Sequence, residues 1–169
     1  MRAFAILAVI ASPVVAEVDP EPYRPILERC LAGTEPGEAW EICIGRSSEA
    51  CMQTEEGGFA TLGMALCLRM ESDLWDVQLN RVYREQIAAA KLRDAEEATA
   101  FDGAFANLED SLRAAQRAWI PFRDAQCGLE YAYWGSGSMR QIAGAGCQMR
   151  MTAERTIELL TAVSGMVGE

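Results

Sequence analysis

The chain has 169 residues, 25 acidic and 15 basic side chains, a net charge of -10 and no histidine. That charge disfavours nucleic acid and anionic lipid as partners and favours a cationic partner at encounter. The missing histidine removes the commonest general base and the commonest metal ligand, and the length suits one domain with a sizeable core.

Residues 1–16 carry Arg2, an apolar run from Ala3 to Ile10, a break at Pro13 and then Val14-Val15-Ala16. This is the pattern of a cleavable secretory signal peptide, too short to span a bilayer stably. The mature chain is expected to begin near Glu17 with a charge of -11, since Arg2 leaves with the signal. No cysteine occupies the first mature position, so no lipid or membrane anchor is expected. Cys30, Cys43, Cys51, Cys67, Cys127 and Cys147 are an even set in an exported chain, which points to three disulfides and a periplasmic or secreted location.

Residues 17–25 contain Pro20, Pro22 and Pro25 and read as an extended leader into a short helix over 26–32. A turn at 33–37 precedes a second helix over 38–53. If that helix is continuous, Cys43 and Cys51 lie about 12 Å apart along its axis and cannot bond to each other. A hairpin at the turn pairs Cys30 with Cys43 and leaves Cys51 for Cys67. Cys30 with Cys51 and Cys43 with Cys67 is equally compatible with the spacing. Residues 59–92 have no proline and only Gly63, and predict one long helix. On it Asp73, Asp76, Asn80 and Tyr83 share a face, either solvated or forming a polar network that receives Arg123 or Arg155. Residues 91–100 read as either a helical bend or a short connection.

The central helix is predicted over 100–134, with a kink at Pro121 and a weak point at Gly128. Phe101, Phe105, Leu108, Leu112, Ala115, Trp119 and Phe122 recur at steps of three and four and are expected to form its buried face. Gln116, Arg123 and Cys127 fall on an adjacent stripe, where Arg123 is expected to pair with Glu71 or Asp76. Residues 135–138 form a flexible turn, and Gly144 and Gly146 precede a last helix over 147–163 with Thr152, Arg155, Leu159 and Ala162 on one face. Nowhere is there sustained period-two alternation, so the class is all-α: a disulfide-tied helical bundle.

Three segments carry a resemblance. They are Glu71 to Tyr83 with Leu79-Asn80-x-x-Tyr83, then Gln116-x-x-Trp119-x-x-x-Arg123-Asp124-x-x-Cys127, then Cys147-x4-Thr152-x-x-Arg155. Together they resemble the LprI-like domain of small exported bacterial proteins, over about residues 70–160. The resemblance implies an all-helical bundle bridged from Cys127 to Cys147, and singles out Glu71, Asn80, Tyr83, Gln116, Trp119, Arg123, Asp124, Thr152 and Arg155 as structural or binding residues. It divides the mature chain into a cysteine-rich segment, 17–58, packed on an LprI-like domain, 59–169. It departs from the lipidated protein that names the family, because no lipidation cysteine is present.

Two functions compete. The first is a non-enzymatic binding protein that inhibits a cationic lysozyme-type hydrolase, docking through exposed carboxylates or the 135–138 turn. The second is a structural or assembly protein of the envelope. No cofactor is expected. Carboxylate pairs among 25 acidic residues arise by chance, which gives a glycosidase reading little specificity. A soft-metal site at Met149, Met151 and Cys147 would need a reduced cysteine.

Overall fold

The computed structural model describes residues 17–34 and 40–167. The expected signal peptide and most of the 33–37 turn therefore lie outside the described residues. The elements are α1 (Arg24–Gly33), a 3-10 turn (Trp40–Cys43), α2 (Arg46–Thr54), α3 (Thr61–Glu97), a second 3-10 turn (Phe101–Gly103), α4 (Leu108–Tyr133) and α5 (Met139–Val167). No strand occurs among the described residues, and the fold is all-α, tied by disulfides Cys30–Cys43, Cys51–Cys67 and Cys127–Cys147.

The 37-residue α3 is the spine, about 55 Å long at 1.5 Å per residue. It packs along α5, and α4 packs mainly on α5. The segment formed by α1, the first 3-10 turn and α2 covers the N-terminal half of the spine. Tyr23, Leu27 and Trp40 from that segment bury against Met70, Leu74 and Trp75 of α3 and Met149, Ala153 and Ile157 of α5. A smaller cluster of Leu79, Val82 and Leu159 continues the core, with Leu112 and Trp119 packed on it from α4. Tyr23 also pins the leader: its hydroxyl donates to Glu55 Oε1 at 2.6 Å and lies 2.7 Å from Thr54 Oγ1.

The helix predicted over 38–53 is broken. Gly45 has φ +89°, a left-handed conformation that costs glycine little, and α2 starts only after it. The break turns Cys43 towards Cys30 in α1 and frees Cys51 for Cys67, which decides between the two pairings. Gly63 has a steric role, since a Cβ there would overlap the Gly57 carbonyl.

The predicted central helix starts eight residues late. Asp102 and Gly103 take positive φ, and α4 begins at Leu108. This detaches the Phe101 and Phe105 repeat from the helix it was assigned to. Phe105 is 63% exposed and Phe122 is 60% exposed, so neither belongs to a buried face; the surroundings of Phe101 lie outside the described residues. The side of α4 turned to α5 instead carries Leu112, Gln116, Trp119, Arg123 and the buried Cys127. α4 is a single helix through Pro121, which lies on its exposed side. α5 starts at Met139, earlier than predicted, and takes in both glycines. At Gly144 a Cβ would come within 3.1 Å of the Tyr131 ring, so the glycine lets α4 and α5 approach closely.

Candidate functional site

Two carboxylates of the spine hold the starts of other helices. Glu71, 0% exposed, accepts the Gly45 N–H at 2.7 Å and the Trp75 indole N–H at 3.0 Å on Oε1, and the Ser48 N–H at 2.6 Å on Oε2. It thereby caps α2, whose own N-cap offers no side-chain hydrogen bond. Asp94 does the same for α4, accepting Leu108 N–H at 2.8 Å and Glu109 N–H at 2.9 Å. Each carboxylate sits where four helix amides lack intrahelical acceptors and the macrodipole is positive.

Arg123 is not joined to Glu71 or Asp76. Its guanidinium meets the neighbouring Asp124 at 2.9 Å, stacks 5.0 Å from the Trp119 ring and reaches Thr152 Oγ1 at 3.4 Å. A side chain from the same helix supplies the counter-charge, while Glu71 is buried and turned to two amides and an indole. One turn away, Arg155 donates to Gln116 Oε1 at 3.0 Å and to Glu158 Oε2 at 2.7 Å, bridging α4 to α5. The proposed network around Asp73, Asp76, Asn80 and Tyr83 receives neither arginine. Asn80 bonds back to Asp76 on an exposed face, and Tyr83 packs against the smaller core cluster. Since Asp124 is 54% exposed, Arg123→Ala is expected to lower stability by only about 1 kcal/mol, mostly through lost packing on Trp119. Urea denaturation of the variant checks this, and a loss of several kcal/mol would contradict a screened pair.

The features suited to recognition gather where α4 turns into α5. Tyr133 is 77% exposed and Trp134 is 49% exposed. The turn beneath them is held by the Gly135 N–H to the Ala132 carbonyl at 3.0 Å and the Gly137 N–H to the Trp134 carbonyl at 2.8 Å. The Cys127–Cys147 disulfide staples the two helices behind the turn. Between staple and turn, Arg140 stacks 4.1 Å from the Tyr131 ring, while Gln141 donates to the Tyr131 hydroxyl at 3.3 Å and accepts from Arg69 at 3.2 Å. Two exposed aromatics thus stand on a braced hairpin, so fixing them against a partner costs little further conformational entropy.

Beside the staple lies an open groove of about 480 Å³ whose walls include Arg69, Asp73, Asp124, Tyr131 and Gln148. The Asp73 carboxyl titrates above its ordinary range, because it is partly shielded from water and because Glu17 and Asp76 add negative potential. Cys147 and Cys127 each lie 3.7 Å from Met151 Sδ, but both are oxidised and supply no thiolate for a soft metal. Among the described residues no group of three or more acidic or cysteine side chains is placed to hold a metal ion, and no helix is long and apolar enough to cross a membrane.

The exposed aromatics Tyr133 and Trp134 could not be placed from the sequence, since nothing in a run ending Tyr-Ala-Tyr-Trp-Gly says which ring turns outward. The resemblance gave weight to the α4–α5 seam, and the structure puts Gln116, Trp119, Arg123, Asp124, Thr152 and Arg155 together there, with Glu71 and Asn80 apart on α3.

Fold and site define a disulfide-tied, all-α protein with a braced helical hairpin at the α4–α5 turn. The chain belongs to the lysozyme inhibitor LprI family, whose model matches residues 51–159. It is similar to an uncharacterized protein of Rhizobium meliloti (strain 1021), 36% identical over 98 residues that cover 58% of this chain and 70% of the relative. It is also similar to an uncharacterized 17.7 kDa protein in the puhA 5′ region of Rhodobacter capsulatus, 26% identical over 137 residues, 80% of this chain and 83% of the relative. No solved structure matches.

Proposed function

We propose that the mature chain is an exported, non-enzymatic binding protein of the periplasm or cell exterior that inhibits a cationic lysozyme-type cell-wall hydrolase. Membership in a family described as lysozyme inhibitors carries the reading. The braced turn supports it. Tyr133 and Trp134 are the kind of rigid aromatic anchor that dominates binding energy when it fills a cleft, and the acidic surface around Asp73 and Asp76 supplies attraction at a distance. Inhibition then works by occlusion: the turn occupies the groove that would take the polysaccharide, and no bond of the hydrolase is made or broken.

The test is clearance of a peptidoglycan suspension by several lysozymes, with and without the oxidised mature chain. Inhibition is expected at micromolar excess, weakening as salt screens charges beyond about 8 Å. Trp134→Ala is expected to raise the inhibition constant by about thirty-fold, the effect of removing a central anchor. Failure to inhibit any lysozyme would end the reading and favour an envelope-structural role. Inhibition indifferent to both Tyr133→Ala and Trp134→Ala would move the docking surface away from the turn.

A further inference from the structure

The outer side of α4 is not covered by any other element. Phe122 and Leu129, 60% and 47% exposed, stand on it with Ala114, Ala118, Ala125 and Ala132, all at steps of three and four and all exposed. No charged side chain interrupts this strip over residues 114–132, although the chain carries 40 charged residues in all. An amphipathic surface helix normally turns its charges to this side. The charges that exist lie along one edge, where Arg117 and Asp124 are seven residues, two turns, apart. Arg117 makes no ion pair among the described residues, and Asp124 Oδ1 takes the adjacent Arg123 and a long hydrogen bond from Gln148, leaving Oδ2 outward.

We propose that this face docks on a second copy of the same chain, the two α4 helices packing antiparallel about a two-fold axis between Ile120 and Pro121. The sequence of the strip fits itself in that register and not in the parallel one. The antiparallel arrangement sets Arg117 of each copy opposite Asp124 of the other, twice. It also brings the bulky half of the strip, Phe122 and Leu129, onto the alanine-rich half that starts at Ala114, so knobs meet space. A parallel pair would set Phe122 on Phe122 and Leu129 on Leu129, and would carry the Arg117 and Asp124 edges of the two copies to opposite sides of the interface, where they cannot meet. Small side chains along the strip let the helices approach closely. At about 28 Å by about 10 Å per copy the strip is well below the surface buried in most obligate dimers, so the dimer is a weak, concentration-dependent one. The proposal does not depend on lysozyme inhibition, and the turn at Tyr133 and Trp134 stays at the end of the paired helices.

Sedimentation and light scattering of the oxidised mature chain, from about 5 to about 500 µM, test it. The expected result is a rise from one to two chain masses across that range. Phe122→Glu and Leu129→Glu, each on an exposed side chain outside the core, are expected to raise the dissociation constant at least about ten-fold. Arg117→Glu is expected to weaken association by about two- to ten-fold, and adding Asp124→Lys to recover part of the loss. Leu92→Glu, on an exposed position of α3 away from the strip, should leave the mass unchanged. A monomer at every concentration overturns the proposal, as does a dimer indifferent to both glutamate variants. So does a monomer whose lysozyme inhibition is abolished by Phe122→Glu, which would assign the face to the hydrolase.

Discussion

Replacing Glu71 by alanine is expected to destabilise the protein by about 3 kcal/mol, the largest effect of any single polar side chain in the fold. Three donors lose their acceptor at once: the buried Ser48 amide, the half-buried Gly45 amide and the buried indole of Trp75. Each unsatisfied donor costs about 1–3 kcal/mol, and removing a charge that had to be dehydrated offsets part of the sum. The donors win because all three hydrogen bonds end on an ionised acceptor and the start of α2 adds positive potential. Glu71→Gln keeps the shape but turns an NH2 towards one of the amides, for an expected loss of about 2 kcal/mol. Asp94→Ala, at the less buried start of α4, should cost about 1 kcal/mol. Urea denaturation of the oxidised variants measures all three. Losses below about 0.5 kcal/mol for both Glu71 variants would mean that α2 is held by packing and the Cys51–Cys67 disulfide and that the cap adds nothing.

How much of this was legible depended on whether the signal was local. The helical class, the even cysteine set and the existence of the long spine follow from composition and from 3.6-residue periodicity, which one segment carries by itself. The breaks at Gly45 and at Asp102-Gly103 were missed because each lies inside a run whose apolar pattern continues across it; periodicity reports which residues share a face only while the backbone stays helical. The exposure of Phe105 follows from the second break, whereas Phe122 lies within the continuous α4, whose side facing α5 is set by Leu112, Gln116, Trp119, Arg123 and Cys127 and leaves Phe122 outward. Glu71 belongs to a recognisable motif, but the sequence points to Glu71 or Asp76 as the partner of Arg123 rather than to a helix start as the partner of Glu71. A carboxylate that caps a helix 26 residues earlier in the chain leaves no mark in its own neighbourhood, whereas an arginine on an apolar helix advertises the need for an anion. Of the cysteine pairings, spacing reduced the first four residues to two alternatives, and only the bend at Gly45 separates them.

Removing the Cys127–Cys147 bridge as the double variant Cys127→Ala and Cys147→Ala is expected to lower stability by about 3 kcal/mol, the chain-entropy value for a loop of this size. The two cysteines are separated by 20 residues, and the loop they close contains the whole braced turn. Both are buried, at 3% and 2% exposure, so losing the sulfurs also opens space beside Met151 and lets the ends of α4 and α5 part. At a temperature where the variant is still folded, amides in 128–146 should exchange faster while those of the α3 core keep their protection. If Tyr133 and Trp134 act as preorganised anchors, the loosened turn must be ordered again on binding, and lysozyme inhibition should fall by about ten-fold or more. Faster exchange in the turn with undiminished inhibition would show that the hydrolase contacts another surface. Unchanged exchange would show that the stacking of Arg140 on Tyr131 and the close packing at Gly144 hold the hairpin without the disulfide.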